Sequence, residues 1–227
     1  KISPRSFCTE VLTLRPFFNW LRDHKKAIRV NPCDGVELPK WAPKLRPAPS
    51  WEDFLAMRRA CRVLEEALLL EVFYFTGLRM AELRGVRLRD VDLALRRIQV
   101  LGKGGREELV FFPLRAADLI GLWCWKMVLL HPDAWMLTNT GLGRHRPHGE
   151  VWINARLRGL GHRAGLPYTV TAHTLRHGFA RLLKSKGVDL EVARRLMRHT
   201  DIRTTAMVYG TLSADDVQAV YDRQLGP

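Results

Sequence analysis

The segment Thr171-Ala172-His173-Thr174-Leu175-Arg176-His177 decides how the rest of the sequence is interpreted. On a helix, His173, Arg176 and His177 are three and four residues apart, so they share one face. The opposite side is apolar and can be buried; it carries Leu175, Phe179 and Leu182. The segment therefore predicts an amphipathic helix that directs three basic side chains away from its own buried side.

A histidine pair four residues apart could instead bind a metal ion. The zinc motif H-E-x-x-H has this spacing, but Thr174 stands where that motif has its glutamate. No third ligand is suitably spaced either. A surface helix that carries histidine and arginine without a function is a further alternative as long as this segment is considered alone. We expect no metal.

Three further segments carry side chains that could act on a phosphate. Arg79 follows a glycine that we expect to end a helix, and Glu82 lies three residues on, where it can hold the arginine. Lys103 lies in a Gly-Lys-Gly turn whose glycines let the backbone approach a phosphate. Arg198-His199-Thr200 begins a segment that ends in Met207-Val208-Tyr209-Gly210. Cations, imidazoles and a phenol thus come from four separate parts of the chain.

These motifs occur in the order shown by the tyrosine recombinase, or phage integrase, family, which the sequence resembles over about residues 70–212. They read TGLRMAEL from residue 76, GKG from 102, HTLRH from 173, LMRHTDIRTT from 196, and the tyrosine at 209. The resemblance implies a mostly α-helical catalytic-domain fold with a small antiparallel β-sheet, over residues 47–227. It also implies that residues 1–46 are the C-terminal part of a helical core-binding domain, which clamps DNA, plus a linker.

The resemblance implies that Tyr209 attacks a DNA phosphate and becomes joined to the 3′-phosphate. A phenol with a pKa near about 10 is a poor nucleophile without cations or a base, and we expect His173 to act as that base and as a proton shuttle. The phosphorane transition state carries extra negative charge, which arginine forks can meet in a bidentate way. Arg79 and Arg176 fit that role.

The remaining roles also follow from the resemblance. Lys103 would protonate the leaving 5′-oxygen, and His199 would hydrogen-bond a non-bridging oxygen. Glu82 would be a structural partner of Arg79. No metal or nucleotide cofactor is expected, because the phosphotyrosyl bond conserves the energy of the bond that is broken.

The position of the nucleophile departs from the common family pattern. The tyrosine more often follows the histidine by nine residues, whereas His199 and Tyr209 are ten apart. A ten-residue version that ends in Tyr-Gly also resembles part of the family, so we retain Tyr209. Tyr221 is the competitor, but it lies on the apolar side of the last helix and is expected to pack there. Tyr74 falls in a core helix, and Tyr168 has no counterpart in the family.

The charge balance favours a polyanionic partner. The 37 Lys and Arg residues outnumber the 23 Asp and Glu residues, which gives a formal net charge of +14 and a pI near 10.3. Such a field attracts nucleic acid, although a basic surface that binds nothing is the alternative. Residues 1–46 hold 10 basic and 4 acidic residues, which makes this segment a candidate for DNA contact.

Two segments are further candidates for DNA contact. Lys40 and Lys44 lie in a proline-rich linker over residues 31–49. The loop 143–148 is basic and is flanked by glycine and proline; it contains Arg144, His145 and Arg146. A flexible surface loop without a function is the alternative for this second segment.

Helix signals begin at the first residues. Ser3-Pro4 opens a helix that Pro16 should kink or split. Its apolar stripe consists of Phe7, Val11, Leu14, Phe18 and Leu21. A single helix is predicted from Ser50 to Gly77.

The rest of the chain continues as helices with one hairpin. Strands are predicted at 97–101 and 108–112, on either side of the Gly-Lys-Gly turn. Trp123 and Trp125 lie in one apolar helix and cannot both face inward. The further helices are predicted at 80–83, 115–129, 148–164, 172–186, 189–198 and from Ser213 onward.

The expected partners are double-stranded DNA and other copies of the chain, which would form a tetramer on DNA. We expect no membrane contact, because no run of about 18 apolar residues is present. Four scattered cysteines without a CxxC pair favour a reducing cytoplasm, with the protein associated with nucleoid DNA. Lys1 is not a natural start, so we expect an upstream segment. A type IB topoisomerase and a non-catalytic DNA-binding relative are the alternative functions.

Overall fold

The computed structural model describes residues 2–40, 47–102, 104–128, 133–139 and 146–198. The chain divides into two compact units, Lys1–Leu45 and Arg46–Pro227. The predicted final helix from Ser213 lies outside the described residues. The predicted fold class is confirmed, since the described residues form eight α-helices and a three-stranded antiparallel sheet with one further two-stranded pair.

The first unit is built on helix α1, Pro4–Asp23. The Ser3 side chain caps it by accepting a hydrogen bond from the Ser6 N–H at 3.1 Å. The helix continues through Pro16, so the predicted split does not occur. The predicted apolar stripe is only partly buried within this unit: Val11 is buried, whereas Phe7 and Leu14 are exposed.

The predicted single helix from Ser50 to Gly77 is two helices, α2 over Trp51–Ala60 and α3 over Leu64–Thr76. The chain becomes extended between them, and the Glu66 carboxylate accepts the free Arg62 N–H at 3.0 Å. The Arg163 side chain donates to the carbonyl at the end of α2, that of Ala60, at 3.4 Å and to Glu66 at 2.6 Å. Side-chain hydrogen bonds thus pair the backbone groups at the break between the two helices. The apolar spacing continues across this break, so the sequence pattern did not predict it.

The second unit continues with short elements and then with long helices. Strand β2 matches its prediction, and β3 begins one residue earlier than predicted. Both flank the predicted turn, and β1 joins them in the order β1-β2-β3. The elements are α4 Met80–Gly85, a 3₁₀ turn Leu88–Asp90, β1 Val91–Asp92, β2 Arg97–Leu101, β3 Glu107–Phe111, α5 Leu114–Val128, β4 Thr138–Asn139, β5 Arg146–Pro147, α6 Glu150–Arg163, α7 Ala172–Ser185 and α8 Leu190–Met197.

Helix α3 is the centre of the core and packs against α2, α5, α6 and α7. It is buried around most of its circumference, so each of its large apolar side chains stabilises the fold by about 1.5–3 kcal/mol. On α5, Trp123 is buried and Trp125 is exposed, as the sequence predicts. Among the described residues, no helix is long and apolar enough to span a bilayer. The rigid core fixes the ends of α3 and α7, from which the site is built.

Candidate active site

The turn between α3 and α4 places Arg79. Gly77 ends α3 in the left-handed conformation, with φ +57°, and a Cβ there would clash with the Phe179 ring at 2.4 Å. Arg79 then caps α4, and its backbone N–H donates to Glu82 Oε2 at 2.7 Å. Its side chain donates from Nη1 to Glu82 Oε1 at 2.5 Å. Glu82 therefore holds Arg79 from both the backbone and the side chain, as predicted from their spacing.

Arg176 comes to the same place from helix α7, which the Thr171 side chain caps. Its side chain is buried, and its two terminal nitrogens donate to the carbonyls of Gly77 and Met197. These carbonyls lie at the C-terminal ends of α3 and α8, where the helix dipole favours a positive charge. A guanidinium has five N–H donors, so Arg176 keeps donors for a substrate.

Arg198 is a member of the site that sequence reasoning missed. It ends α8 in the left-handed conformation, with φ 53°, and its side chain is 4% exposed. Its Nη2 donates to Glu82 Oε2 at 2.8 Å and to the Gly77 carbonyl at 3.1 Å. Its own carbonyl accepts from Arg79 Nη2 at 2.7 Å. The sequence did carry one signal for this role. Arg198 stands at the end of a predicted helix, a position that usually prefers glycine.

These groups form one cluster, which we call the arginine centre and which also includes Glu108 of β3. Glu108 Oε2 lies 3.6 Å from Arg198 Nε. The complete centre consists of Arg79, Arg176, Arg198, Glu82 and Glu108, with one net positive charge. Four separate parts of the chain therefore meet at one place, where Arg176, Arg198 and Glu82 are buried.

The charges of the centre shift the pKa values of its members. Burial, followed by the charges of Arg79 and Arg198, lowers the pKa of Arg176 to about 9, so this guanidinium remains protonated at neutral pH. Burial alone would raise the pKa of Glu82, but the charge of Arg198 and the hydrogen bonds from both arginines outweigh it, and the pKa is lowered. Three mutually repelling cations would be relieved by an anion, and a phosphate has the charge and the geometry for that role.

His173 lies in the first turn of α7, one turn before Arg176 and on the same side of the helix. It is exposed, and its Nε2 lies 3.1 Å from Nε2 of His177. No cluster of three or more potential metal ligands occurs in the described part of the chain. The exposed imidazole of His173 therefore lies on the face of α7 that also carries Arg176.

The remaining predicted site residues have no described contact with the arginine centre. Arg146 is exposed on β5, and Lys40 is exposed in the first unit. The others lie outside the described residues: Lys44, Lys103, Arg144, His145, His199 and Tyr209.

Two of the four tyrosines are unsuited to nucleophilic attack. Tyr74 is fully buried, and burial raises its pKa. Burial also raises the pKa of Tyr168, and its hydroxyl donates to Asp53 at 2.8 Å. A phenol that is harder to ionise is a weaker nucleophile. Tyr209 and Tyr221 remain as candidates.

The hairpin that carries the predicted lysine approaches the centre through its backbone. Gly104 and Gly105 adopt φ angles of +79° and +75°, which only glycine adopts easily. The Gly102 N–H donates to the Arg106 carbonyl at 2.7 Å and closes the turn. A Cβ on Gly102 would lie 2.8 Å from the carboxyl carbon of Glu108. The predicted glycine-rich turn is therefore present, and it rests on a carboxylate of the arginine centre.

Known proteins share this sequence and this architecture. Residues 52–215 match the phage integrase family. The chain is 31% identical over 229 residues to the tyrosine recombinase XerD of Lacticaseibacillus casei, which covers 97% of this chain and 77% of that protein. It is 30% identical over 226 residues to XerC of Haemophilus influenzae strain 86-028NP, which covers 98% and 75% respectively.

Solved structures share the fold. The XerH site-specific recombinase bound to a palindromic difH substrate has a TM-score of 0.76 at 18% identity, over 98% of this chain and 67% of that one. The XerA recombinase has a TM-score of 0.67 at 21% identity, over 96% and 76%. The ordered motifs, the fold and the sequence matches agree, and the chain belongs to the phage integrase family of tyrosine recombinases.

Proposed function

We infer that the protein is a site-specific DNA recombinase that cleaves and rejoins DNA strands through a 3′-phosphotyrosyl intermediate. The observation that carries this inference is the arginine centre. Arg79 and Arg176 converge there with donors to spare, and their mutual repulsion is relieved by a bound phosphate. Membership of the tyrosine recombinase family supplies the reaction class.

We propose Tyr209 as the nucleophile. Its oxygen attacks phosphorus as the phenol proton passes to His173, the tyrosyl O–P bond forms, and the P–O5′ bond breaks. Lys103 gives a proton to the leaving 5′-oxygen, so the 5′ end of the cleaved strand leaves as a hydroxyl group. Rejoining reverses these steps with the 5′-hydroxyl of a second strand.

The arginines act on the transition state. Charge accumulates on the non-bridging oxygens as the phosphorane forms, and preorganised donors in a dry site stabilise it strongly. Arg79 is 41% exposed at its side chain and can reach the phosphate from the solvent side. Arg176 is buried and would contact the phosphate from the protein side. His199 is proposed to add a hydrogen bond to a non-bridging oxygen.

We further propose that the protein works as a tetramer on two DNA duplexes in the cytoplasm, on nucleoid DNA. A helix is predicted from Ser213, with Val217, Val220, Tyr221 and Leu225 on its apolar side. In the proposed assembly it is buried on a neighbouring copy. The positive net charge of +14 supports DNA as the partner. Lys40, Lys44, Arg144, His145 and Arg146 are proposed to contact DNA.

The nucleophile is tested with a nicked duplex that traps the covalent complex. On a denaturing gel, Tyr209→Phe should bind DNA but give no covalent band, while Tyr221→Phe should retain the band. The reverse pattern would move the nucleophile to Tyr221. Full activity on two duplexes should give exchanged strands, whereas relaxation of supercoiled DNA without exchange would indicate a topoisomerase. Binding without any covalent product in the unmodified protein would indicate a non-catalytic relative.

A further inference from the structure

Arg198 has no donor left for a substrate. Its Nη1 donates to the Thr76 carbonyl at 3.4 Å and to the Leu196 carbonyl at 3.0 Å. Its Nη2 donates to Gly77 and to Glu82. Only Nε–H is free of a hydrogen bond within the described part of the chain, and it is directed to Glu108. Arg198 therefore acts on other groups of the protein and not on DNA.

Glu108 is the second half of this contact. Its Oε2 is buried and has no hydrogen-bond partner among the described residues, and it lies 3.6 Å from Arg198 Nε. That distance allows an ion pair but exceeds that of a hydrogen bond. Arg198 Nε and Glu108 Oε2 are both buried atoms without a hydrogen bond among the described residues, and their ion pair joins the sheet to the end of α8.

Glu108 also supports the turn of the hairpin. Both its carboxylate oxygens would lie 3.0 Å from a Cβ on Gly102, so the carboxylate is packed directly against the backbone of that glycine. Gly102 precedes Lys103 in the sequence. The same carboxylate thus contacts Arg198 on one side and the backbone next to the lysine on the other.

We propose that the pair Arg198–Glu108 is a positioning device that sets the Lys103 turn against the arginine centre. Arg198 also fixes Glu82 and, through its carbonyl, Arg79. One side chain at the end of α8 therefore contacts both Arg79 and the carboxylate that packs against Gly102, the residue before Lys103. This inference rests on the proposed role of Lys103 as the general acid.

The test separates positioning of the acid from a structural role. Cleavage is measured in single turnover with a normal duplex and with one that carries a 5′-bridging sulfur, a leaving group that needs no proton. Glu108→Gln should slow cleavage of the normal duplex by about 10- to 100-fold, as expected when a catalytic group is displaced by about 1 Å. The sulfur duplex should recover most of this loss.

Two further variants sharpen the result. Glu107→Gln is the matched control, because it removes the same charge from the neighbouring, exposed position of β3, and it should leave both rates unchanged. Gly102→Ala keeps every charge and displaces the Glu108 carboxylate, a flexible side-chain end whose atoms are the three nearest to an added Cβ. It should reproduce the Glu108→Gln pattern, and it decides the matter if Glu108→Gln does not fold.

The outcomes distinguish the inference from the proposed function. Lys103→Ala should cleave the normal duplex slowly and the sulfur duplex at close to the normal rate. Adding Glu108→Gln to Lys103→Ala should not lower the cleavage rate further. The positioning role is wrong if the sulfur duplex restores the cleavage rate of Lys103→Ala, but Glu108→Gln and Gly102→Ala cleave the normal duplex as fast as Glu107→Gln does. If Lys103→Ala does not recover with sulfur, Lys103 is not the acid, and this inference is withdrawn with that assignment.

Discussion

Two clusters of arginine around buried glutamate lie in the same unit and differ in how their cations are neutralised. In the second cluster, Arg58 and Arg115 both form ion pairs with the fully buried Glu71. The guanidinium of Arg115 also lies 5.0–5.2 Å from the ring centroids of three aromatic side chains. Each arginine there has a carboxylate partner, and all three groups belong to helices.

The arginine centre is built differently. Arg176 donates to two backbone carbonyls and not to a carboxylate, and its pKa is lowered by burial and by its neighbouring cations. Its members come from helix ends, a turn and a strand. Holding like charges together in this way is unfavourable without an anion. The arrangement of the cations, and not their number, therefore distinguishes a substrate site from a structural ion pair.

The largest expected effect tests that distinction with one substitution in each cluster. Arg79→Lys should lower the cleavage rate by about 10²- to 10³-fold, because an ammonium cannot replace a fork that serves Glu82 and the phosphate together. Arg58→Lys is the control, since its side chain is 40% exposed against 41% for Arg79 and is also paired with a buried glutamate. It should cleave at the normal rate. Equal losses in single-turnover cleavage would remove the distinction.

The next effect concerns stability. Arg198→Gly removes one partner of two carboxylates, which costs about 3–5 kcal/mol for a buried pair. Relief of the left-handed conformation at residue 198, with φ 53°, returns about 1–2 kcal/mol. We expect a net loss of about 2 kcal/mol in the free energy of unfolding, measured by urea denaturation. An unchanged or higher stability would mean that the ion pairs of Arg198 do not offset the free-energy cost of its left-handed conformation.

The structural cluster should show the opposite profile. Glu71→Gln keeps the shape of the side chain but removes its charge, and both arginines can still reach water because each is 40% exposed at its side chain. We expect a loss of about 1–2 kcal/mol in stability and an unchanged cleavage rate per folded molecule. Urea denaturation and active-site titration by covalent trapping measure the two quantities. A cleavage defect at full folding would show that this cluster also serves the reaction.

The sequence predicted two of the three arginines of the centre, Arg79 and Arg176, together with Glu82, but not the pairing of Arg198 with Glu108. Spacing on a helix and the position after a glycine identify Arg176 and Arg79, because these are local properties. The contact of Arg198 with Glu108 joins the end of α8 to β3, and no local pattern reports a pairing across 90 residues. The break between α2 and α3 was missed for the same reason, since it is stabilised by Arg163 of α6.

The smallest expected effect concerns Glu65, a half-buried carboxylate that has a histidine as its partner. His148 Nε2 lies 3.4 Å from Glu65 Oε1, and the imidazole stacks on Trp152 with centroids 3.6 Å apart. An ion pair would raise the pKa of His148, but burial and then the charge of Arg156 lower it. Burial outweighs the ion pair, because the contact with Glu65 is long and the imidazole side chain is only 12% exposed.

The sign of the pH effect follows from that shift. Because the folded state holds His148 neutral, its stability is complete above the ordinary histidine pKa of about 6.5. It falls as the pH drops below that value, where the unfolded chain takes up the proton first. We expect His148→Gln to weaken the loss of stability between pH 7.5 and pH 5.5, as measured by urea denaturation at each pH. A steeper loss in the variant would mean that the imidazole is charged in the fold, and Glu65 would then be a true ion-pair partner like Glu71.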